Sequence, residues 1–251
     1  MADFELNSDF LSSMPSDIIT KILVNLPIKE AVRTSTLSSK WKYSWTSIPD
    51  LVFIKDTTDS ELVRSVDKVL LVHQGPILKF KIDCDKPREE AINRWLPILG
   101  HGLKDLCLWF DCFAGRKVHL SLLSCLKLEH LKLLGCIVYA PQCFQGFKLL
   151  QNLKMYACDL VGITIEEFVS SCPMLESLAC CDNGVHRICL AICAPNLKQL
   201  ELVGAFANLS LETPRLVCAS IFLDTEIGSS YIATYDYQFS NPTSGVCKRK
   251  I

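Results

Sequence analysis

Net charge is the first thing this sequence lacks. Its 26 basic and 27 acidic residues leave −1, so no overall basic field gathers nucleic acid or an anionic membrane. Long apolar runs are missing too. The stretch 185–203 is broken by Arg187, Pro195 and Lys198, well short of the roughly 20 apolar residues that span a bilayer. Residues 1–11 carry Asp3, Glu5 and Asp9 and no apolar segment, so no secretory signal is read there. Cys-x-x-Cys pairs do not occur: the closest spacings are Cys180-Cys181, Cys189/Cys193 and Cys107/Cys112, which excludes the paired hooks of a structural zinc site. Phosphate-binding glycine loops, zinc-protease helices and dinucleotide fingerprints are likewise absent. The histidines, His73, His101, His119, His130 and His186, are scattered without a nucleophile signature around them. The expectation is a soluble intracellular protein, cytoplasmic and/or nuclear, with no catalytic residue, cofactor, metal, nucleic-acid partner or membrane partner. Lys248-Arg249-Lys250 is a weak nuclear-localisation hint and more often a solvated tail.

Cysteine itself is plentiful, with 14 in 251 residues. Without an export signal they do not read as a disulfide framework. Most stand beside leucines in apolar segments, where a thiol acts as a small buried hydrophobe.

Residues 14–45 contain the densest local pattern. Ile18, Ile19, Ile22, Leu23 and Leu26 recur at helical spacing. Pro27 ends that helix and opens a second, Ile28 to Ser35, with Ala31 and Val32 inward. Ser38 is read as the N-cap of a third, on which Leu37, Trp41 and Trp45 fall four apart. Three short helices cannot bury this much apolar surface among themselves, so one face wants a partner. Met14-Pro15, Ile22-Leu23-x-x-Leu26-Pro27 and Leu37-Ser38-x-x-Trp41 resemble the F-box in order and spacing. Met14 stands where that family usually has Leu, and Ser38 and Lys40 replace its usual Cys and Arg.

A connecting piece follows. Thr58 and Glu61 have capping-box spacing before a helix with Leu62, Val63, Val66, Val69 and Leu70 on one face. Leu78, Phe80 and Ile82 alternate as a half-buried strand, and a helix around Arg88 to Leu96 puts Ile92, Trp95, Leu96 and Leu99 on one side. From there the unit L-x-x-L-x-L repeats: Leu103-Leu106-Leu108, Leu128-Leu131-Leu133, Leu150-Leu153-Met155, Leu175-Leu178-Cys180, Leu197-Leu200-Leu202 and, weakly, Leu216-Ala219-Ile221. First-position spacings of 25, 22, 25, 22 and 19 lie near the 20–29 of leucine-rich repeats. Cys136, Cys158 and, in the next unit, Asp182 or Asn183 fall where such a repeat turns after its strand, and 161–171 reads as a helical return segment. Ile92-x-x-Trp95, Gly146-Phe147-x-x-Leu150, Cys172-Pro173-x-Leu175-Glu176 and Ala194-Pro195-Asn196-Leu197 resemble plant F-box proteins with irregular leucine-rich repeats, a group often carrying a C-terminal FBD domain. No FBD region is evident.

The expected fold is α/β: a three-helix F-box over 12–48, a connecting helical segment over 49–76, a solenoid with a curved parallel sheet over 77–224, and a divergent or truncated segment over 225–251. The resemblance implies a substrate receptor of an SCF-type cullin–RING ubiquitin ligase. Its F-box docks on a Skp-type adaptor, and through it a cullin, while the repeats hold a target protein. The alternative is a repeat module that binds the adaptor without ligase turnover. Adaptor contacts are expected from Met14, Pro15, Ile18, Ile22, Leu23, Leu26, Pro27, Leu37, Trp41 and Trp45. In each repeat the residues between the leucines fall on the concave face. They form columns: Asp105, His130, Asn152, Ser177, Gln199; then Cys107, Lys132, Lys154, Ala179, Glu201; then Trp109, Leu134, Tyr156, Cys181, Val203. Trp109 and Tyr156 are expected to anchor the target, with Leu134 and His130 among its contacts and Lys132 and Lys154 favouring an acidic or phosphorylated segment; the alternative is that the protein's own loops cover the third column.

Overall fold

The computed structural model describes residues 10–100, 102–111, 118–120, 125–140, 144–181, 188–204 and 206–223. His101, His186, Cys112, Asp182, Asn183, the His119 side chain, the 225–251 segment and its Lys248-Arg249-Lys250 tail lie outside the described residues. The chain opens with helices α1 (Phe10–Ser13), α2 (Ser16–Leu23) and α3 (Ile28–Arg33), then strand β1 (Asp50–Phe53), α4 (Asp59–Val72), β2 (Lys79–Cys84), α5 (Glu89–Leu99) and β3 (Asp105–Phe110). Next come β4 (Val118–Leu120), β5 (His130–Leu134), β6 (Cys136–Tyr139), β7 (Asn152–Tyr156), β8 (Asp159–Val161), α6 (Ile165–Ser170) and β9 (Ser177–Cys181). The last elements are β10 (Ile188–Cys193), β11 (Gln199–Gly204), β12 (Phe206–Glu212) and β13 (Cys218–Leu223).

Eight strands form one parallel sheet in the order β1-β2-β3-β5-β7-β9-β11-β13. The register aligns the expected leucine positions across it. Leu106, Leu131, Leu153, Leu178, Leu200 and Ala219 make one row, and Leu108, Leu133, Met155, Cys180, Leu202 and Ile221 the next. Both rows continue into β2 and β1 through Phe80 and Leu51, and through Ile82 and Phe53. The sheet therefore starts earlier than the leucine count indicates. Ile48-x-x-Leu51-x-Phe53 and Ile77-x-x-Phe80-x-Ile82 are the same unit written with Ile and Phe, and the segment expected as connecting helix contains β1. Thr58 and Glu61 make the expected capping box on α4, which with α5 supplies the crossovers that parallel strands require. Later repeats return through the short strands β4, β6 and β8, which pair in that order, and through β10 beside β12. α6, capped by Thr164 and Glu167, provides the expected helical return.

The third N-terminal helix does not form. Residues 39–43 are turns leading into a 3-10 helix, Ser44–Ser47. Ser44 Oγ donates to Lys40 O and Thr46 Oγ1 to Tyr43 O, so hydroxyls compete for the carbonyls a helix would use. Ser38 Oγ is buried with no hydrogen-bond partner among the described residues and caps nothing.

One core runs without a break from Ile19 in α2 to Leu202 in β11. At the junction α3 packs on β1, Gln74 N–H donates to Thr46 O at 2.8 Å, and His73 Nε2 lies 2.9 Å from Ile48 O. The thiols follow the packing. Cys136 and Cys158 sit after their strands and donate to Leu134 O and Tyr156 O, each at 3.3 Å. Burial pushes Cys84 up to about 12 and lifts Cys136 as well, which suppresses the thiolate.

Asp67 ties α4 to α5: Arg94 Nη2 donates to both carboxylate oxygens at 2.8 and 2.9 Å, and Trp95 Nε1 donates at 2.7 Å. Burial draws this carboxyl upward, but the bonds from Arg94 and Trp95 outweigh it and hold it below its ordinary value. Asp67→Ala leaves the Trp95 N–H without its acceptor, and a loss of about 1–2 kcal/mol is expected, at the low end because the pair is half exposed. A lowered folded-state pKa stabilises above the ordinary carboxylate range, and the benefit is lost as pH falls through the folded value. The stability gap between wild type and Asp67→Ala, followed by urea titration, is expected to be full at pH 7 and to shrink towards pH 3.

Candidate functional site

Two surfaces carry the residues singled out by sequence. The first is the N-terminal helical unit. Pro15 precedes α2 in an extended conformation, and its carbonyl accepts from Ile18 N and Ile19 N. The helix then splits its isoleucines between two stripes 100° apart. Ile19 and Leu23 are fully buried, while Ile18 and Ile22 are 42% and 38% exposed. Leu37 is 45% exposed, and Pro15 and Pro27 are exposed too. Met14, Leu26 and Trp45 are half-buried; the Met14 carbonyl accepts from Lys40 Nζ. Trp41 is buried, its Nε1 donating to Leu11 O at 3.0 Å. Leu23 and Trp41, expected as adaptor contacts, are therefore internal packing: a period of 3.6 groups neighbouring stripes without saying which one the unit itself covers. Phe10, Val24 and Tyr43 are exposed apolar residues that sequence reasoning left out; the burial of their helical neighbours is the only signal for them.

Between α3, β1 and α4 lies a half-open groove of about 800 Å³, lined by Val32, Trp45, Val52, Ile54 and Val72. Ion pairs Lys29–Asp56 and Arg33–Glu30 stand among its lining residues.

The second surface is the sheet face opposite the main core, the one expected to be concave. The three columns stand in register as read from the repeat, and β2 adds Lys79, Lys81 and Asp83 to them. Lys81 was left out of the columns because its strand carries Phe and Ile in place of leucine. Lys79 pairs with Asp105 at 3.1 Å. His130 is exposed, and Asn152 Nδ2 lies 2.9 Å from its Nδ1. Lys132 and Lys154 are half-buried, the former with Nζ 4.1 Å from the centre of the Trp109 ring. Burial lifts the Glu201 carboxyl above its usual range, while Lys154 pulls it the other way.

The third column behaves differently from expectation. Leu134 and Tyr156 are each only 5% exposed and join Ala179, Cys181 and Val203 in a second apolar cluster, against which Trp109 packs at a ring distance of 6.5 Å from Tyr156. As ready anchors Leu134 and Tyr156 are corrected by this burial. They form a floor, and Trp109, half-buried, keeps an accessible edge. Among the described residues no group of three His, Cys, Asp or Glu side chains is placed to hold a metal, and no helix is long and apolar enough to cross a membrane.

Comparison with known proteins bears on both surfaces. Residues 11–53 match the F-box domain, and residues 92–222 match the leucine-rich repeats of the FBD-associated F-box protein At5g56370. The F-box/FBD/LRR-repeat protein At1g13570 of Arabidopsis thaliana is 40% identical over 225 residues, 85% of this chain and 53% of the relative. The F-box protein At5g03100 is 30% identical over 202 residues, 78% and 64% respectively, and the FBD-associated F-box protein At5g56370 is 31% identical over 224 residues, 83% and 52%. This chain thus spans between about half and two thirds of the length of these Arabidopsis proteins.

Proposed function

Because this chain belongs to the plant F-box proteins with leucine-rich repeats, in the FBD-associated group, we propose that it is the substrate receptor of an SCF-type ubiquitin ligase. Its helical unit docks on a Skp-type adaptor and through it a cullin, and its sheet face holds a target protein, in the cytoplasm, the nucleus or both. The observation that carries this reading is α2, which buries Ile19 and Leu23 and still presents Ile18 and Ile22 to solvent. The same unit also leaves Phe10, Val24, Leu37 and Tyr43 exposed, and exposed apolar groups gathered on one small unit mark an interaction site. Family members are typically non-catalytic adaptors, and the chain's contribution is proximity. Holding a target lysine near a charged conjugating enzyme turns a bimolecular encounter into one of high effective concentration. Recognition is assigned to His130, Lys132, Lys154 and the open edge of Trp109, with Leu134 and Tyr156 beneath.

The test is affinity purification of the tagged full chain from plant cells with the proteasome blocked. Adaptor, cullin and ubiquitin-conjugated material are expected together. Adaptor without cullin would favour an interaction module without turnover, and recovery of neither would overturn the proposal.

A further inference from the structure

The two ends of the eight-stranded sheet are finished differently. At one end α3 packs on β1, so the helical unit lies against the first strand. At the other end β13 is the last strand, and no described strand pairs with its far side. Cys218 N donates to Lys198 O, towards β11. Successive residues of a strand turn their main-chain groups to opposite sides, so Ala219 and Ile221 present N–H and C=O to the open edge. Proteins blunt such an edge with charge, proline, a bulge or a cover. β13 reads Cys-Ala-Ser-Ile-Phe-Leu, with neither charge nor proline, and its register with β11 runs unshifted from Cys218 to Leu223.

The core is unfinished at the same end. Leu209 and Leu211 in β12, and Leu216 and Ala219 beside them, pack against it but stay half-buried. Ile221, which continues the second leucine row, is 37% exposed, while its register partner Leu202 is fully buried. Each repeat covers only its neighbour's apolar face, so the last one needs a cap. Whatever fits here brings a strand's hydrogen bonds and an apolar row together.

The chain carries such a segment beyond β13. Tyr231 to Phe239 is free of Gly and Pro and stands between Gly228-Ser229-Ser230 and Ser240-Asn241-Pro242, the pattern of a strand bounded by turn signals. Tyr231, Ala233, Tyr235, Tyr237 and Phe239 alternate with Ile232, Thr234, Asp236 and Gln238, which gives one aromatic face and one mostly polar face. Only Asp224 to Ser230 separate this run from β13. A parallel crossover takes about a dozen residues or more, whereas antiparallel neighbours are joined by short loops. The direction that fits is antiparallel, as for the edge strand of many otherwise parallel sheets.

We propose that residues 231–239 pair antiparallel with the free edge of β13 and cap the repeat array, their aromatic face closing the core over Leu216 and Ile221. Hydrogen exchange of the full chain, read by mass spectrometry, tests this. The amides of 218–223 and 231–239 are expected to exchange at least about tenfold more slowly than an unstructured chain, whatever the protein concentration. Light scattering is expected to show a monomer. Thr234→Pro and Tyr235→Pro are made separately, because neighbouring N–H groups point to opposite sides and one of the two is aimed at β13. At least one of them is expected to speed exchange in both segments, and Ser244→Pro, beyond the run, to leave both unchanged. Exchange of 231–239 at the unstructured rate overturns the proposal. So does a pattern in which both variants match Ser244→Pro. A dimer, or protection of 218–223 that fades on dilution, overturns it as well and gives the edge to a second copy. The unaltered chain decides by itself if a variant does not fold.

Discussion

Replacing Ile18 by Glu and Ile22 by Lys in one chain is expected to abolish adaptor binding while leaving the protein folded. Both side chains are partly open to solvent on α2, 42% and 38% exposed, so the new charged ends reach water instead of being buried. The pair stands four residues apart, in the favourable orientation with Glu nearer the N-terminus. It also complements the helix dipole, so the helix itself is supported. Apolar anchors at the centre of an interface are worth about 2 kcal/mol or more each. Losing two weakens binding about a thousandfold, beyond the range of a pull-down. Titration calorimetry with purified adaptor checks the affinity, and the melting temperature is expected to stay within about 2 °C. Leu23→Asp is the contrasting variant. It buries a charge in a fully enclosed position and is expected to unfold the helical unit. If the exposed pair leaves adaptor binding intact, α2 is not the docking surface.

The second large effect lies in the repeats. Gly146 has φ +80°, and a Cβ built there would stand 2.0 Å from Ser171 O and 2.5 Å from Ser171 C. Gly146→Ala therefore combines a left-handed backbone conformation that L side chains adopt at a cost with a collision against a main-chain carbonyl that has no rotamer to yield. A loss of about 3 kcal/mol or more is expected, which for a chain of this size lowers the melting temperature by about 6–12 °C. The next residue carries the damage into the core. Phe147 packs with Phe144 and Phe168 at ring distances of 5.3 and 5.9 Å, and the turn at Gly146 sets its entry. Gly102→Ala is the control: its added Cβ would find only Ile77 O at 3.8 Å and is expected to be nearly neutral. Differential scanning calorimetry of the two variants distinguishes strain at one turn from a general intolerance of alanine.

How much of this was legible in the residues depended on which contact each pattern encodes. The leucine spacing reports the sheet directly, because each apolar position faces the same core row in every repeat; Leu106 through Leu200 align as the unit predicts. The first strand was hidden, and the second was read as a strand but left out of the repeat count, because Ile48, Leu51, Phe53, Ile77, Phe80 and Ile82 fill the same slots with other apolar shapes. The third helix was misread for a different reason. Trp41 and Trp45 have helical spacing, but Ser44 and Thr46 compete for the carbonyls of Lys40 and Tyr43. Alternation along a strand told which residues face away from the main core. It does not report whether a second cluster covers them, and Leu134 and Tyr156 are covered. The proposed adaptor surface was half legible. Sequence grouped Ile18 with Ile19 and Ile22 with Leu23, and only the packed unit separates the stripe it uses from the stripe it offers.

The uninterrupted core between α2 and β11 has a mechanical meaning. With α3 seated on β1 and the main chain of residue 74 bonded to residue 46, the helical unit is braced against the sheet as its first layer and does not swing from a tether. Each further strand then adds a fixed increment of reach. β7 lies four strands from β1 in the sheet order, about 19 Å at the usual strand spacing. A protein seated on β5 and β7 would be held at a set distance and angle from whatever grips α2. Its lysines would be sorted by their position on its own surface, and those on the wrong side would stay unmodified however long the complex lives.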